Sequence, residues 1–160
     1  MKLDRIDLNI LSILQKNARV TNQELASQVA LSPSSCLQRV RRLEAEGLIL
    51  DYQARLNLNK LARHIMCIAT VAMKNHSADD FRNFEALVES IPEIVECFTV
   101  SGAFDFFLRI VCPDMTRYLE INEKLVSSVN YSLTINTHVV MNENKPFSGV
   151  DILGLQIDDK

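Results

Sequence analysis

The apolar positions of the first fifty residues recur with a helical period that turn chemistry interrupts twice. Ile6, Ile10, Ile13 and Leu14 follow at i, i+4, i+7 and i+8, one buried stripe, with Asp4 placed to cap the helix and Asp7 in its first turn. Polar "QKNAR" ends that run. Thr21 and Glu24 then form a T-x-x-E capping box for a second helix of about two turns, whose inward positions are Leu25, Ala26 and Val29. "ALSP" turns the chain. Ser32 is a good N-cap, Pro33 takes the first helical position, where a missing N–H costs nothing, and Leu31 can staple against Cys36. A third helix is expected from about Pro33 to near Gly47.

Projected at about 100° per residue, Cys36, Leu37, Val40 and Leu43 fall on one side of that third helix. Ser34, Gln38, Arg41, Arg42 and Ala45 fall on the other, flanked by Ser35 and Arg39, so the basic residues are expected to face outward together. A short helix, a tight turn and a second helix with such a face is the helix-turn-helix arrangement, whose second helix enters the major groove. Gln38 has the amide geometry for adenine and Arg39, Arg41 and Arg42 the fork for guanine or phosphate, while Ser32, Ser34 and Ser35 suit phosphate oxygens near the helix start. Taken alone, the segment also fits a solvated charged face. After Gly47, "LILDYQARLNLN" alternates weakly and is expected to form a two-stranded wing or a connecting strand.

Beyond residue 60 the rhythm changes. "HIMCIATVAMK" is a β-compatible apolar run, and "SADDFRNFEALVESI" is a helix capped by Ser77 and Asp80 with Phe81, Phe84, Leu87, Val88 and Ile91 inward. "EIVECFTVS" and "FDFFLRIVC" are strands joined at Ser101-Gly102-Ala103. "PDMTRYLEINEKLVSSV" is a helix expected to bury Tyr118, Leu119, Asn122 or Ile121, Leu125 and Val129, and "YSLTINTHVVM" returns to strand. The order βαββαβ is the ferredoxin-like pattern, with helices on one face of its sheet. The other face is also apolar in several strands, and the cheapest cover is a second copy of the chain. The fold class is therefore α+β. Residues 1–50 form a winged helix-turn-helix domain, 51–63 a wing strand or linker, 64–145 the ferredoxin-like domain, and 146–160 a tail whose Ile152, Leu153, Leu155 and Ile157 are expected to pack somewhere.

Charge sharpens this division. Residues 1–60 carry nine Lys/Arg against six Asp/Glu, and residues 61–160 carry eight against fourteen, which agrees with the overall −3. A basic N-terminal part joined to an acidic remainder fits a polyanion-binding module attached to something that does not touch the polyanion. The start "MKLDRIDLNIL" has no uninterrupted apolar stretch and no run approaches the length of a membrane span, so the expected location is the cytoplasm. Cys36, Cys67, Cys97 and Cys112 sit inside apolar segments without a CxxC pair or a histidine at ligand spacing, and each is expected to be a small buried hydrophobe rather than a metal ligand.

The stretches "LDRIDLNILSILQKNARVTNQELA", "LSPSSCLQRVRRLEAEGLI", "VSGAFDFFLRIVCPDM" and "THVVM", in that order and spacing over about residues 3 to 145, resemble the leucine-responsive regulator (Lrp/AsnC) family of feast-or-famine transcription factors. The resemblance implies a winged helix-turn-helix joined to a ligand-sensing, RAM-type ferredoxin-like domain. It also implies double-stranded DNA as partner, and dimers pairing through their sheets and assembling into rings such as an octamer. An amino acid such as leucine or methionine would be bound between dimers. Where the family usually has glycine in the turn between its second and third helices, this chain has Ala30; Ala103 replaces an acid of close relatives, and His138 stands where they often have tyrosine.

Asp105 shares a strand face with Phe107 and Arg109, so its charge needs a partner or water. Spacing alone leaves open a solvated strand-end carboxylate and a ligand-holding one. The resemblance favours the ligand role, with Asp105 holding the ammonium of a free amino acid and Gly102 letting the main chain approach. Ala103, Phe104 and the Thr137, His138, Val139 segment complete the effector site so implied, and Asp114, which reads as a helix N-cap, lies near it. His138 reads more readily as a packed strand residue than as a ligand contact; His64 and His76 carry no such signal. No Ser/His/Asp or Cys/His arrangement, paired carboxylate or phosphate-cradling glycine loop points to catalysis, and no cofactor is expected. The reading is an amino-acid-responsive DNA-binding regulator. The alternative is an architectural DNA-binding protein blind to ligand.

Overall fold

A computed structural model describes residues 3–74, 77–127 and 132–155. The expected inward Val129 and Ile157, and His76, lie outside the described residues. The chain divides into two compact units, one of residues 1–55 with 145–160, the other of residues 56–144.

The first unit holds α1 (Arg5–Leu14), α2 (Asn22–Gln28) and α3 (Pro33–Ala45). Each starts on the cap its sequence offers. Asp4 and Asp7 form a reciprocal capping box, as do Thr21 and Glu24, and the Ser32 side chain accepts from the Ser35 N–H with Pro33 in the first turn. Ile10, Leu14, Leu25, Ala26, Val29, Cys36 and Leu43 make the core, with Leu31, Val40 and Ile49 packed around it. Leu37, expected inward, is exposed on the flank of α3.

Two helices of this unit end in the same motif. After α3 the Leu48 N–H donates to Leu43 O and the Gly47 N–H to Glu44 O, with Gly47 at φ +70°. After α2 the Leu31 N–H donates to Ala26 O and the Ala30 N–H to Ser27 O, with Ala30 at φ +54°. Glycine meets no Cβ penalty in this left-handed cap; alanine does.

The expected wing strand between Leu48 and Asn57 is absent: residues 51–57 carry no regular element, and a four-residue helix, α4 (Leu58–Leu61), follows in the second unit. Weak alternation without a partner strand leaves no ladder to form. The tail joins the first unit, where Gln15 Nε2 donates to Val150 O at 2.6 Å, the Val150 N–H donates to Gln15 Oε1 at 2.9 Å, and a 3-10 turn at Ile152–Gly154 packs against α1.

The second unit continues with β1 (Ile65–Met73), α5 (Ala78–Glu89), β2 (Ile94–Thr99), β3 (Phe106–Cys112), α6 (Met115–Ser127) and β4 (Leu133–Val139). The strands form one antiparallel sheet in the order β2-β3-β1-β4. Alternation sends Cys67, Ala69, Val71 and Met73 of β1, and Phe106, Leu108, Ile110 and Cys112 of β3, into one core with Phe84, Val88 and Ile91, and with Tyr118, Ile121 and Leu125 of α6. Phe106 is its hub, with ring centroids 4.6 Å from Phe84 and 5.1 Å from Phe81. Leu119, expected inward, is 58% exposed, because the inward stripe of α6 runs through Tyr118, Ile121 and Leu125. Cys97, expected buried, is exposed on edge strand β2. The sheet's second face carries Met66, Ile68, Thr70, Phe107, Arg109, Val111 and Phe98, only partly apolar because Arg109 pairs with Glu96 at 2.8 Å.

Candidate nucleic-acid interface and effector region

On α3 the phase of the helix separates a buried line, Cys36 and Leu43, from an exposed edge that carries Ser34, Ser35, Gln38 and Arg41. The three N-terminal serines form one cluster: Ser32 Oγ lies 3.1 Å from Ser34 Oγ and donates to Ser35 Oγ at 2.9 Å. The α2–α3 turn is fixed by Asn22 Nδ2 donating to Pro33 O at 2.8 Å.

Arg42 is exposed as expected and Arg39 is half-buried, but both are tied to acids of α1. Arg39 Nη1 donates to Asp4 Oδ2 at 2.7 Å and Asp7 Oδ1 at 2.8 Å, and Arg42 Nη2 donates to Asp7 Oδ2 at 2.6 Å. The Asp7 side chain is only 1% exposed. A carboxylate taken out of water needs charged or N–H partners, and the two guanidinium groups supply them. The Asp7 main-chain N–H and Arg39 hold the Asp4 carboxyl below its ordinary value, and Asp4 and Asp7 raise the Arg39 guanidinium. Sequence reasoning missed this clasp. Its legible signal was Asp7 itself, which lies three and seven residues before Ile10 and Leu14, on the face they bury.

The residues expected to hold an effector are dispersed within one chain. Gly102, Ala103 and Phe104 lie in the β2–β3 loop, with Gly102 at φ +125°. The loop closes when the Val100 N–H donates to Asp105 O at 2.8 Å. The Asp105 N–H donates to Val71 O, and its Oδ2 accepts from the Met73 N–H at 2.7 Å, so the carboxylate continues the β1–β3 ladder by one rung. Asp105 is thus not a free strand-end carboxylate: its Oδ2 serves the ladder. Asp114 lies beyond the far end of β3, a strand of about 23 Å, and caps α6 by accepting from the Arg117 N–H at 2.9 Å. Thr137, His138 and Val139 pair with Ala69, Ile68 and Cys67 near the sheet's middle and its Asp114 end. Thr137 and Val139 share the helix side, where Thr137 Oγ1 hydrogen-bonds the Tyr118 hydroxyl, while His138 is exposed on the opposite face. One chain therefore does not bring the Gly102–Asp105 loop and the Asp114 end together.

Burial pushes the Cys36, Cys67 and Cys112 thiols up, away from the reactive thiolate. Among the described residues no group of three His, Cys, Asp or Glu side chains is arranged to hold a metal, and no helix is long and apolar enough to cross a membrane.

Helix-turn-helix geometry and a second, four-stranded antiparallel α+β unit define a class, the two-unit DNA-binding regulator, and comparison with known proteins makes it specific. Residues 3–49 match a winged helix-turn-helix DNA-binding family and residues 66–150 match the Lrp/AsnC ligand binding domain. The leucine-responsive regulatory proteins of Salmonella typhimurium and Escherichia coli K12 are each 41% identical over 143 residues, covering 89% of this chain and 87% of theirs. An AsnC family regulator from Agrobacterium tumefaciens superposes with a TM-score of 0.86 at 27% identity, over 94% of this chain and 97% of that one. A Neisseria meningitidis transcriptional regulator solved as its L-Met complex gives 0.83 at 30% identity, with the same coverage. The chain belongs to the Lrp/AsnC family. It is a DNA-binding transcriptional regulator that carries a ligand-binding domain.

Proposed function

We propose that this regulator reads DNA sequence with the exposed edge of α3, and that a free amino acid bound between copies of the chain modulates its assembly or DNA binding. The observation that carries the first part is the phase of α3, with Ser34, Ser35, Gln38 and Arg41 exposed opposite the buried Cys36 and Leu43. Gln38 and Arg41 take base edges, and the Ser32, Ser34 and Ser35 hydroxyls take phosphate oxygens. Arg39 and Arg42 are tied to α1 and are not assigned base contacts.

The second part is supported by the dispersal of Gly102–Asp105 and Asp114, which a second copy can bridge, and by the L-Met complex of the Neisseria relative. The Phe98, Phe107 and Ile68 face of the sheet is the surface we assign to pairing of copies in the cytoplasm, giving two reading heads on a two-fold axis and a roughly palindromic site.

Two measurements test the reading. Gln38→Ala and Arg41→Ala are expected to weaken binding to a selected duplex by about 1 to 3 kcal/mol per good base contact and to relax its sequence preference, whereas wild-type binding by both overturns the α3 assignment. A thermal-shift screen of the free amino acids is expected to find at least one that raises the melting temperature by mass action. No shift with any of them supports the ligand-blind architectural protein instead.

A further inference from the structure

Three arginines lie within four positions of α3, yet their environments differ. Arg41 is exposed, whereas Arg39 and Arg42 are both held by α1 acids. Both Asp7 oxygens are engaged, Oδ1 by Arg39 and Oδ2 by Arg42 at 2.6 Å, and the Asp7 carboxylate also accepts the Asp4 N–H at 3.2 Å. The Arg39 side chain is 26% exposed and that of Arg42 44%, so neither is shielded from an approaching polyanion by bulk. Direction restrains them: their guanidinium groups point back into the unit, and two negative charges neutralise them there.

We infer that Asp4 and Asp7 are specificity-determining positioning residues that hold Arg39 and Arg42 off the DNA backbone and so keep sequence-blind attraction from masking the contacts of Gln38 and Arg41. This inference rests on the reading of α3 given above. The physical ground is that attraction to phosphate is sequence-independent and scales with the number of phosphates neutralised, whereas base-edge contacts alone distinguish one duplex from another. A regulator with three free arginines on a short helix would bind any duplex. With two of them committed to α1, the reading surface keeps one exposed guanidinium, Arg41, beside one amide, Gln38. Asp7 is the stronger clamp, because it is buried and holds both arginines; Asp4 adds a second acceptor for Arg39 alone.

The test uses the full chain on two probes, a duplex selected by the wild-type protein from a random-sequence pool and the unselected pool itself, across a range of salt. Asp4→Asn is the principal variant, because asparagine caps a helix as well as aspartate while losing the charge. It loosens Arg39, which Asp7 still holds, and is expected to steepen the slope of log affinity against log salt by less than about 1, whereas Asp7→Asn, which frees Arg42 and leaves Arg39 on Asp4, steepens it by roughly 1, one extra phosphate contact. In both, binding to the random pool rises several-fold more than binding to the selected duplex. Asp51→Asn removes a charge that holds no α3 arginine and controls for net charge; it is expected to keep the wild-type slope and preference. Equal slope and preference in folded Asp4→Asn and the wild type overturn the inference, as does a change that Asp51→Asn reproduces in full. If Asp7→Asn only loses folded protein, its affinity falls equally on both probes, and Asp4→Asn decides. Failure of the α3 reading is separable: Gln38→Ala and Arg41→Ala would then keep wild-type preference, whereas failure of the clasp leaves their loss intact.

Discussion

Gln15 pairs with Val150 across 135 residues of sequence through both polar ends of its amide, which receives the Val150 N–H and donates to the Val150 carbonyl. Next to it Gly149 stands at φ +102°, and a Cβ there would lie 2.7 Å from Gln15 Oε1. Gln15→Ala removes two exposed hydrogen bonds and is expected to cost about 1 kcal/mol. Hydrogen exchange around Val150 should accelerate in this variant; unchanged protection there would show that the amide does not hold the tail.

Ala30 offers a gain of stability. It occupies at φ +54° the position that Gly47, at +70°, fills after α3. Ala30→Gly relieves a left-handed penalty of about 1 to 2 kcal/mol and returns part of it as extra chain entropy, so a net gain of about 0.5 to 1 kcal/mol is expected in denaturant melts. A loss of stability would mean the alanine methyl contributes packing that outweighs the backbone strain.

Asp105 separates charge from hydrogen bonding. Asparagine keeps an acceptor for the Met73 N–H, so Asp105→Asn should fold with little loss, whereas Asp105→Ala removes that acceptor and should cost about 1 kcal/mol. If the carboxylate also meets an amino-acid ammonium, calorimetry should show affinity falling about 10- to 150-fold in Asp105→Asn, the range for losing a hydrogen bond to a charged group. Equal affinity would restrict Asp105 to its ladder role.

Glu93, just ahead of β2, ties that strand's start to α6 and gives a pH signature. Hydrogen bonding from Arg117 holds its carboxyl below the ordinary value near 4.5. Arg117 Nε lies 2.7 Å away and Nη2 2.6 Å away. A depressed carboxyl stabilises the fold above its unfolded value and loses that contribution as pH falls through the folded one. The melting temperatures of wild type and Glu93→Gln should therefore differ near about pH 6 and converge towards about pH 3. A constant gap over that range would mean the pair is not proton-linked to folding.

How far this molecule could be read from sequence follows the reach of each interaction. The Asp4 cap, the Thr21–Glu24 capping box, the Ser32–Pro33 start of α3 and the strands β1 and β3 are set by residues within a few positions of one another, and the structure shows them where expected. Leu37 and Leu119 failed because each lies about one residue off its buried stripe, a difference of 100° that periodicity alone does not resolve. The Asp7 clasp joins residues 32 and 35 apart, and the Gln15 pairing 135 apart. The candidate effector residues were grouped by chain resemblance, whereas the strand register spreads them from one end of the sheet towards the other.

The chain's path, out of its first unit at Arg55 and back at Lys145, sets an order of completion during synthesis. The helix-turn-helix leaves the ribosome first, and the segment that seats on α1 is made only after the roughly 90 residues of the second unit, about 5 to 20 seconds later at ordinary elongation rates. Until then Gln15 has no Val150 to grip. A chain stalled or cut short after its second unit would thus lack the segment that seats on α1, and its first unit would stay unfinished.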